Sequence, residues 1–465
     1  MFIMDVDKYN SLVKDLKEIL GDIWVVEEKA AIERYLYDET APPVRPPPST
    51  KVVVVKPGNT EEVAKVLKLA NKYNVPVYPR GGGTGLVGGA IPTKPGIVLS
   101  LERLVNVRID VDNMVAEVEA GVTLGKLIEE VEKANLMFPP HPGDEGATIG
   151  GLIACNAGGA RAVRTGVMRN YVLGIEVVLP NGDILRLGCK TIKNNMGYNL
   201  AHLFIGSEGI LGVITKAYLR LYPRWNYTAT IVLPFNDRVS AFRTAKKILH
   251  SGLSPLAIEY FDRKVIEASA KHLGLTWPVS EGDAFLMLIL AEALEDVIYL
   301  ELEYIDKLAR SEGSLEPVVA QREDEQKTLL KIRSEIYSAL KDKTYDILDT
   351  TVPIGLIDDF IKGLINIEKK YDIWLPAYGH VGDGNIHVHV PKHGSSSETL
   401  DKVIDEIYDL AIRLGGTITG EHGIGFIRRK YVRKILGDEW INLMKSIKHI
   451  VDPNNILNPN KVIPD

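Results

Sequence analysis

The chain is almost without cysteine: Cys155 and Cys189 are the only two among 465 residues. They form no Cys-x-x-Cys pair, which argues against a Cys-ligated iron–sulfur cluster or a Cys-rich zinc site built within the chain. Their scarcity fits a reducing compartment, so a cytoplasmic location is expected. Basic charge is not in excess either. Lys and Arg number 55 against 61 Asp and Glu, a net charge of −6, which speaks against a nucleic-acid partner. Long apolar runs are missing: the strongest, AFLMLILA from Ala284, is far short of the ~20 residues of a spanning helix. No transmembrane segment is expected, and peripheral contact with a membrane stays open. The opening MFIMDVDKYN is mixed and acidic, unlike a secretory leader. There is no internal repeat, and the one biased tract, APPVRPPPST (41–50), reads as an extended connector.

What is present is ordinary for a globular chain of two or three domains, with 45% apolar and 25% charged residues. VVVVKP reads as a buried strand and Asn59 as a helix cap, with Glu62 closing a capping box. Val63, Val66, Leu67 and Ala70 follow at helical spacing, and VPVYP is a second strand, completing a βαβ unit. Asn181-Gly182 between apolar runs predicts a hairpin. From Tyr227 the texture changes to strands alternating with long helices, the pattern of a second α+β domain. After Leu414 glycine returns.

The most glycine-rich stretch, RGGGTGLVGGA from Arg80, leaves the second strand of that unit. Gly83 to Gly88 fits G-x-G-x-x-G, but Pro92 and Pro95 leave no room for the helix that a dinucleotide fingerprint requires. A linker would be rich in Ser and charge, whereas this loop carries Leu86 and Val87. A rigid turn of backbone N–H groups around an anion remains. HPGDEGATIGGLIACNAGG (141–159) and GSEGILGVIT (206–215) are again small-residue segments beside apolar strands.

Three such segments in this order resemble the vanillyl-alcohol-oxidase (PCMH) type of FAD-binding domain. The resemblance implies a pyrophosphate cradle at Arg80, Gly81, Gly82, Gly83, Thr84, Gly85 and Leu86. It implies further cofactor contacts at Pro142, Gly143, Thr148, Gly150, Gly151, Asn156, Gly158, Gly159, Glu208, Gly209, Ile214 and Asn458. Thr84 stands where covalent members carry an attaching residue such as histidine, so non-covalent FAD is expected.

The densest polar cluster is YGHVGDGNIHVHV (378–390), which holds His380, His387 and His389 out of ten histidines. Strand alternation places Asn385, His387 and His389 on one face. TGEHGIGFIRRKY (419–431) adds Glu421 and His422 between glycines. Neutral imidazoles with one carboxylate make a good open site for a divalent metal. HVGDGNIH, GEHGIG and the ending VDPNNILNPNKVIP are similar to the FAD-linked D-2-hydroxyacid dehydrogenases, over nearly the whole chain. That group spans D-lactate dehydrogenases, glycolate oxidase subunits and D-2-hydroxyglutarate dehydrogenases. The resemblance implies His380, His387 and Glu421 as ligands of a divalent metal, zinc being the expected one, and His422 as catalytic base. Arg333, with Tyr337 four residues on in the helix TLLKIRSEIYSAL, matches the arginine that holds the substrate carboxylate.

The implied fold is α+β: a two-part PCMH-type FAD-binding domain (1–222), an α+β cap or substrate domain (223–415), and a C-terminal segment returning to the first domain (416–465). The expected reaction is oxidation of a small D-2-hydroxy acid, best D-lactate, to the 2-oxo acid. The 2-hydroxyglutarate enzymes carry a lysine near Ile347 or Leu348, an asparagine at the place of His389 and a threonine at that of Tyr337, so a second-carboxylate site is not expected. His141 also departs from many relatives. Electrons must leave to a quinone, an electron-transfer flavoprotein, a partner iron–sulfur subunit or oxygen, and a homodimer is compatible with the group. The rival readings are an alkylglycerone-phosphate-synthase-like flavin transferase, a zinc hydrolase without flavin, and a protein that holds FAD without turnover.

Overall fold

The run VVVV forms strand Val52–Val55, buried along its whole length, and Asn59 caps helix Thr60–Tyr73. The Asn59 side chain accepts the Glu62 N–H at 2.8 Å, but Glu62 accepts from Gly58 N–H at 2.7 Å, one residue earlier than a capping box prescribes. Val63, Val66, Leu67 and Ala70 are buried. The helix leads to strand Val77–Arg80, yet the two strands are not neighbours. Gly96–Ser100 runs between them, parallel to both. The glycine loop thus starts at the carboxyl end of a parallel strand, where open sheets of this kind place their ligands. The computed structural model describes residues 6–465; residues 1–5, the start of the stretch read for a leader, lie outside the described residues.

A second sheet of five antiparallel strands follows, in the order Val107–Asp110, Val115–Glu119, Val213–Arg220, Val172–Val178, Ile184–Gly188. The Asn181-Gly182 turn joins its last two strands, with Gly182 at φ +87°. Helix Ile149–Cys155 packs in the core of this sheet through Ile149, Leu152 and Ile153.

The third sheet has seven antiparallel strands, in the order Val318–Ala320, Tyr227–Phe235, Ala284–Glu292, Ala257–Asp262, Ala377–His380, Asn385–Pro391, Thr344–Thr351. Period-2 alternation divides its residues. Ile258, Tyr260, Ala377, Ile386, Val388, Val390 and Leu348 join the main core, built with helices Arg238–Leu249, Glu295–Ser311, Ile357–Tyr371 and Ser397–Arg413. The alternate positions bring Glu259, Phe261, Tyr378, His380, Asn385, His387, His389 and Asp349 to the opposite face. Helices Arg263–His272, Glu323–Ser334 and Ile336–Leu340 cover its apolar part.

The helix expected over TLLKIRSEIYSAL is interrupted. It ends at Ser334 and resumes at Ile336, with Glu335 at φ −87°, ψ 7°. The Ile332 carbonyl, which a continuous helix would bond to Ile336 N–H, accepts the Ser269 hydroxyl at 2.5 Å. A side chain inserted in the ladder is a recognised cause of such a break. Arg333 and Tyr337 therefore do not sit on one unbroken helical face.

The C-terminal residues return to the first sheet. Leu457 bridges Val77, and buried Lys461 donates to the carbonyls of Gly88 (2.6 Å) and Ile91 (2.9 Å) on the glycine loop. Among the described residues no helix is long and apolar enough to cross a membrane.

Candidate active site

The glycine loop is held close to helix Ile149–Cys155. A Cβ at Gly81 would lie 2.1 Å from Thr148 Oγ1, and one at Gly83, whose φ is +75°, would lie 2.1 Å from the Arg80 guanidinium. A side chain at either position would displace Thr148 or Arg80, and at Gly83 it would also be strained by the positive φ. Arg80 Nη1, Thr148 Oγ1 and Asn458 Oδ1 are buried there without a hydrogen-bond partner. Buried polar atoms are nearly always satisfied, so three orphans lining one glycine cradle fit a polar ligand such as the cofactor diphosphate.

The other expected cofactor residues divide by what they touch. Gly150 packs on Ala120, and a Cβ at Gly158 would lie 2.9 Å from Glu421 Oε2, so this segment abuts the histidine cluster. Asn156 takes the left-handed conformation (φ 58°) and accepts the Arg169 N–H at 3.0 Å. Glu208 turns its carboxylate to the N–H groups of Ile424 and Gly425, both at 2.8 Å, tying GSEG to GEHGIG. Asn458 donates to the carbonyls of Gly89 and Glu208. Leu86 packs on the apolar cluster of the seven-stranded sheet. Gly143 faces open space, Pro142 and Ile214 are buried, and Gly209 closes on Pro79. His141 meets Glu145 at 3.2 Å on the exposed side of the same loop.

The sheet face carries the polar cluster. His380 Nε2 lies 3.2 Å and His387 Nε2 3.4 Å from the same oxygen, Glu421 Oε1. Two imidazole nitrogens and a carboxylate thus converge on one point. Glu259 backs His380, 2.6 Å from its Nδ1; Asp349 is 3.5 Å from His387 Nδ1, which is buried and makes no hydrogen bond. Carboxylate-backed imidazoles are the usual setting of metal-binding histidines. A second grouping, Asp349, His387, Glu421 and His422, also brings one donor atom each within 4.8 Å of one another. Asp349 is the weaker donor of the two sets. Its Oδ2 already accepts from Thr419 Oγ1 and the N–H groups of Gly420, Glu421 and His422, and its Oδ1 accepts from Asn385.

Burial alone would raise Glu421, but His380 and His387 hold it well below the usual carboxylate range. Burial alone would lower His380, and Glu259 with Glu421 push it well above the usual imidazole range. His422 stacks on His387 with ring centroids 4.9 Å apart, its Nδ1 3.9 Å from Asp349 Oδ2 and its Nε2 4.0 Å from Glu421 Oε1. Burial lowers its pKa, so this imidazole is neutral near pH 7, as a base must be.

Arg333 reaches the cluster. Its Nε pairs with Glu259, its Nη2 stands 3.5 Å from His380 Nδ1, and its guanidinium lies 5.5 Å from the Tyr378 ring. Tyr337 is placed differently: its hydroxyl donates to the Glu39 carbonyl at 2.7 Å, linking the sheet's covering helix to the N-terminal segment. His389 lies on the same face as His387 but is closed off. The Thr344 hydroxyl donates to Leu340, so His389 Nδ1–H donates to Thr344 at 2.6 Å and its Nε2 accepts the Tyr378 hydroxyl at 3.3 Å. Burial and the neighbouring His387 and His422 push its pKa down to about 3.

Glu259, Asp349 and Tyr378 were not singled out from the sequence as site residues. An acidic residue inside the apolar strand run LAIEYFD was the available signal for Glu259; Asp349 opens the run DTTVP, whose sequence carries no distinguishing signal.

Both halves of the chain resemble known proteins. Residues 52–188 match the FAD binding domain family, and residues 225–462 match the family of FAD linked oxidases, C-terminal domain. The chain is 41% identical to D-lactate dehydrogenase of Archaeoglobus fulgidus, over 94% of this chain and 97% of that one. It is 36% identical to glycolate oxidase subunit GlcD of Bacillus subtilis, over 97% of each. The solved structure of p-cresol methylhydroxylase with substrate bound superposes with a TM-score of 0.79 at 18% identity, covering 99% of this chain and 98% of that one, which is a likeness of fold. With both halves of the chain matched and close relatives aligned end to end, this protein belongs to the FAD-linked oxidase family of flavoenzymes, built on the PCMH-type fold.

Proposed function

We propose that the protein is an FAD-dependent D-2-hydroxyacid dehydrogenase acting on a small substrate, D-lactate in the first place. The observation that carries this reading is the convergence of His380 Nε2 and His387 Nε2 on Glu421 Oε1, beside Arg333 and His422, where Gly158 of the cofactor segment closes on Glu421. When bound, FAD supplies the acceptor for the substrate Cα hydride, and a divalent cation held by His380, His387 and Glu421 polarises the substrate hydroxyl. Zinc suits two imidazoles and one carboxylate with an open position.

The chain's own residues supply the rest. Arg333 presents its remaining N–H groups to the substrate carboxylate, a geometry matched to a planar anion. His422 removes the hydroxyl proton at Nε2, its site-facing nitrogen, while Asp349 stands behind Nδ1. Arg80, Thr148 and Asn458, with the glycine loop, hold the cofactor non-covalently. Small substrates are favoured because His389 is neutral and engaged by Thr344 and Tyr378, so it offers no positive charge to a second carboxylate. The electron acceptor lies outside the chain, since two separate cysteines cannot hold a cluster.

The test is the visible spectrum of the purified protein before and after anaerobic addition of D-lactate. Flavin bands that bleach with D-lactate and not with L-lactate support the reading. A yellow protein unmoved by D-lactate, glycolate or 2-hydroxyglutarate favours the transferase, and a colourless protein that takes up no FAD sinks it.

A further inference from the structure

Glu259 has a place in this site that neither the sequence motifs nor the reading above assigns. It lies in strand Ala257–Asp262, one of the central strands of the seven-stranded sheet, and has no solvent exposure. The antiparallel register pairs Phe261 with Tyr378 and Tyr260 with Gly379, so the next step sets Glu259 opposite His380. Its two oxygens go to two different partners. Oε1 meets His380 Nδ1 at 2.6 Å, and Oε2 accepts from Arg333 Nε. Arg333 Nη2 and His380 Nδ1 stand 3.5 Å apart, so the guanidinium and the imidazole flank the same carboxylate. Burial alone would raise the Glu259 pKa, but Arg333 and His380 outweigh it and keep the group ionised.

We infer that Glu259 is a positioning residue that locks the carboxylate-binding arginine and a metal-binding histidine into one geometry, and so sets the affinity of the site for both cation and substrate. The inference rests on the metal and carboxylate roles proposed above. The physical case is one of acceptors. A carboxylate that receives His380 Nδ1–H keeps the proton on that nitrogen, so Nε2 is the nitrogen that would give up its proton and turn a lone pair to a cation. The same group must accept Arg333 Nε–H, and with no exposure there is no water to substitute for either bond. A glutamine has one acceptor oxygen. It either leaves Arg333 unpaired or turns its amide N–H to His380, which then carries its proton on Nε2 and has no lone pair for a cation.

The experiment compares wild type, Glu259→Gln and Glu259→Asp as FAD-loaded full chains. Zn2+ affinity is read by chelator competition, and pyruvate affinity by its perturbation of the flavin spectrum. FAD content and the melting midpoint serve as controls. The expected result for Glu259→Gln is a 10–100-fold loss in Zn2+ affinity, the range for removing a group behind a ligand, and about 10-fold weaker pyruvate binding, with FAD retained. Glu259→Asp, too short to span both partners, is expected between wild type and Gln. Wild-type affinity for both probes in Glu259→Gln overturns the proposal, and if that variant does not fold, wild-type affinity for both in Glu259→Asp overturns it equally. Wild type that binds no Zn2+, Mn2+ or Co2+ sinks the metal reading itself; wild type that binds, with a Gln variant that binds as tightly, sinks only the role of Glu259.

Discussion

Asp349 holds His422 by its backbone rather than by its ring. The Asp349 Oδ2 accepts the His422 N–H at 2.7 Å, while the imidazole Nδ1 is 3.9 Å from the same oxygen. That oxygen also receives the N–H groups of Gly420 and Glu421, so three successive amides wrap one buried carboxylate. The loop that presents both Glu421 and His422 is thereby anchored to the strand paired with the one that presents His387.

Replacing Asp349 by Asn is expected to loosen that loop. The amide has one acceptor oxygen, and its N–H2 group faces either the backbone donors or the Asn385 amide, itself a donor at 2.8 Å. A stranded buried donor costs about 1–3 kcal/mol. The melting midpoint should fall, and flavin reduction by substrate should fall further than the lost stability explains. A variant with wild-type kinetics would remove the anchoring role.

His422→Ala is expected to lower the rate of anaerobic flavin reduction by at least ~100-fold, the scale of general-base catalysis, with FAD content unchanged. Stopped-flow absorbance in the flavin band measures it directly. Near-normal reduction would reassign the base.

The protonation argument has a sign. Burial depresses the His422 pKa below its ordinary value, and a base works only when neutral. The reduction rate at saturating substrate should therefore stay level from alkaline pH down through neutrality and decline only below the ordinary imidazole range. A decline setting in above pH 7 would contradict the assignment.

Gly81→Ala and Gly83→Ala should yield folded protein with little flavin. The first puts a methyl against Thr148 Oγ1, the second puts one against Arg80 at positive φ. The ratio of flavin to protein absorbance checks this, with circular dichroism as the folding control. Full occupancy in both variants would move the cofactor elsewhere.

Substrate choice is measurable without mutation. A neutral His389 enclosed by Thr344 and Tyr378 offers no charge to a second carboxylate. The kcat/KM for D-lactate should exceed that for D-2-hydroxyglutarate by at least ~10-fold, about one unsatisfied polar contact's worth of discrimination. Equal values would mean that a group other than His389 receives the second carboxylate.

Much was legible in the sequence because the signals were local. The valine run, the Asn59 cap, the Asn181-Gly182 turn and the alternation of Asn385, His387 and His389 each follow from short-range chemistry, and the structure has all of them. The glycine loop without a following helix excluded a nicotinamide fold for the same local reason. Tertiary structure decided the rest. The break between Arg333 and Tyr337 arises from Ser269, far away in the chain, taking a helical carbonyl. Tyr337 is committed to Glu39 and Glu208 to the 424–425 backbone. Glu259 and Asp349 gain their importance only from the order of strands in the sheet. Which carboxylate stands behind which histidine is a property of register between strands distant in sequence, and no spacing along the chain encodes it.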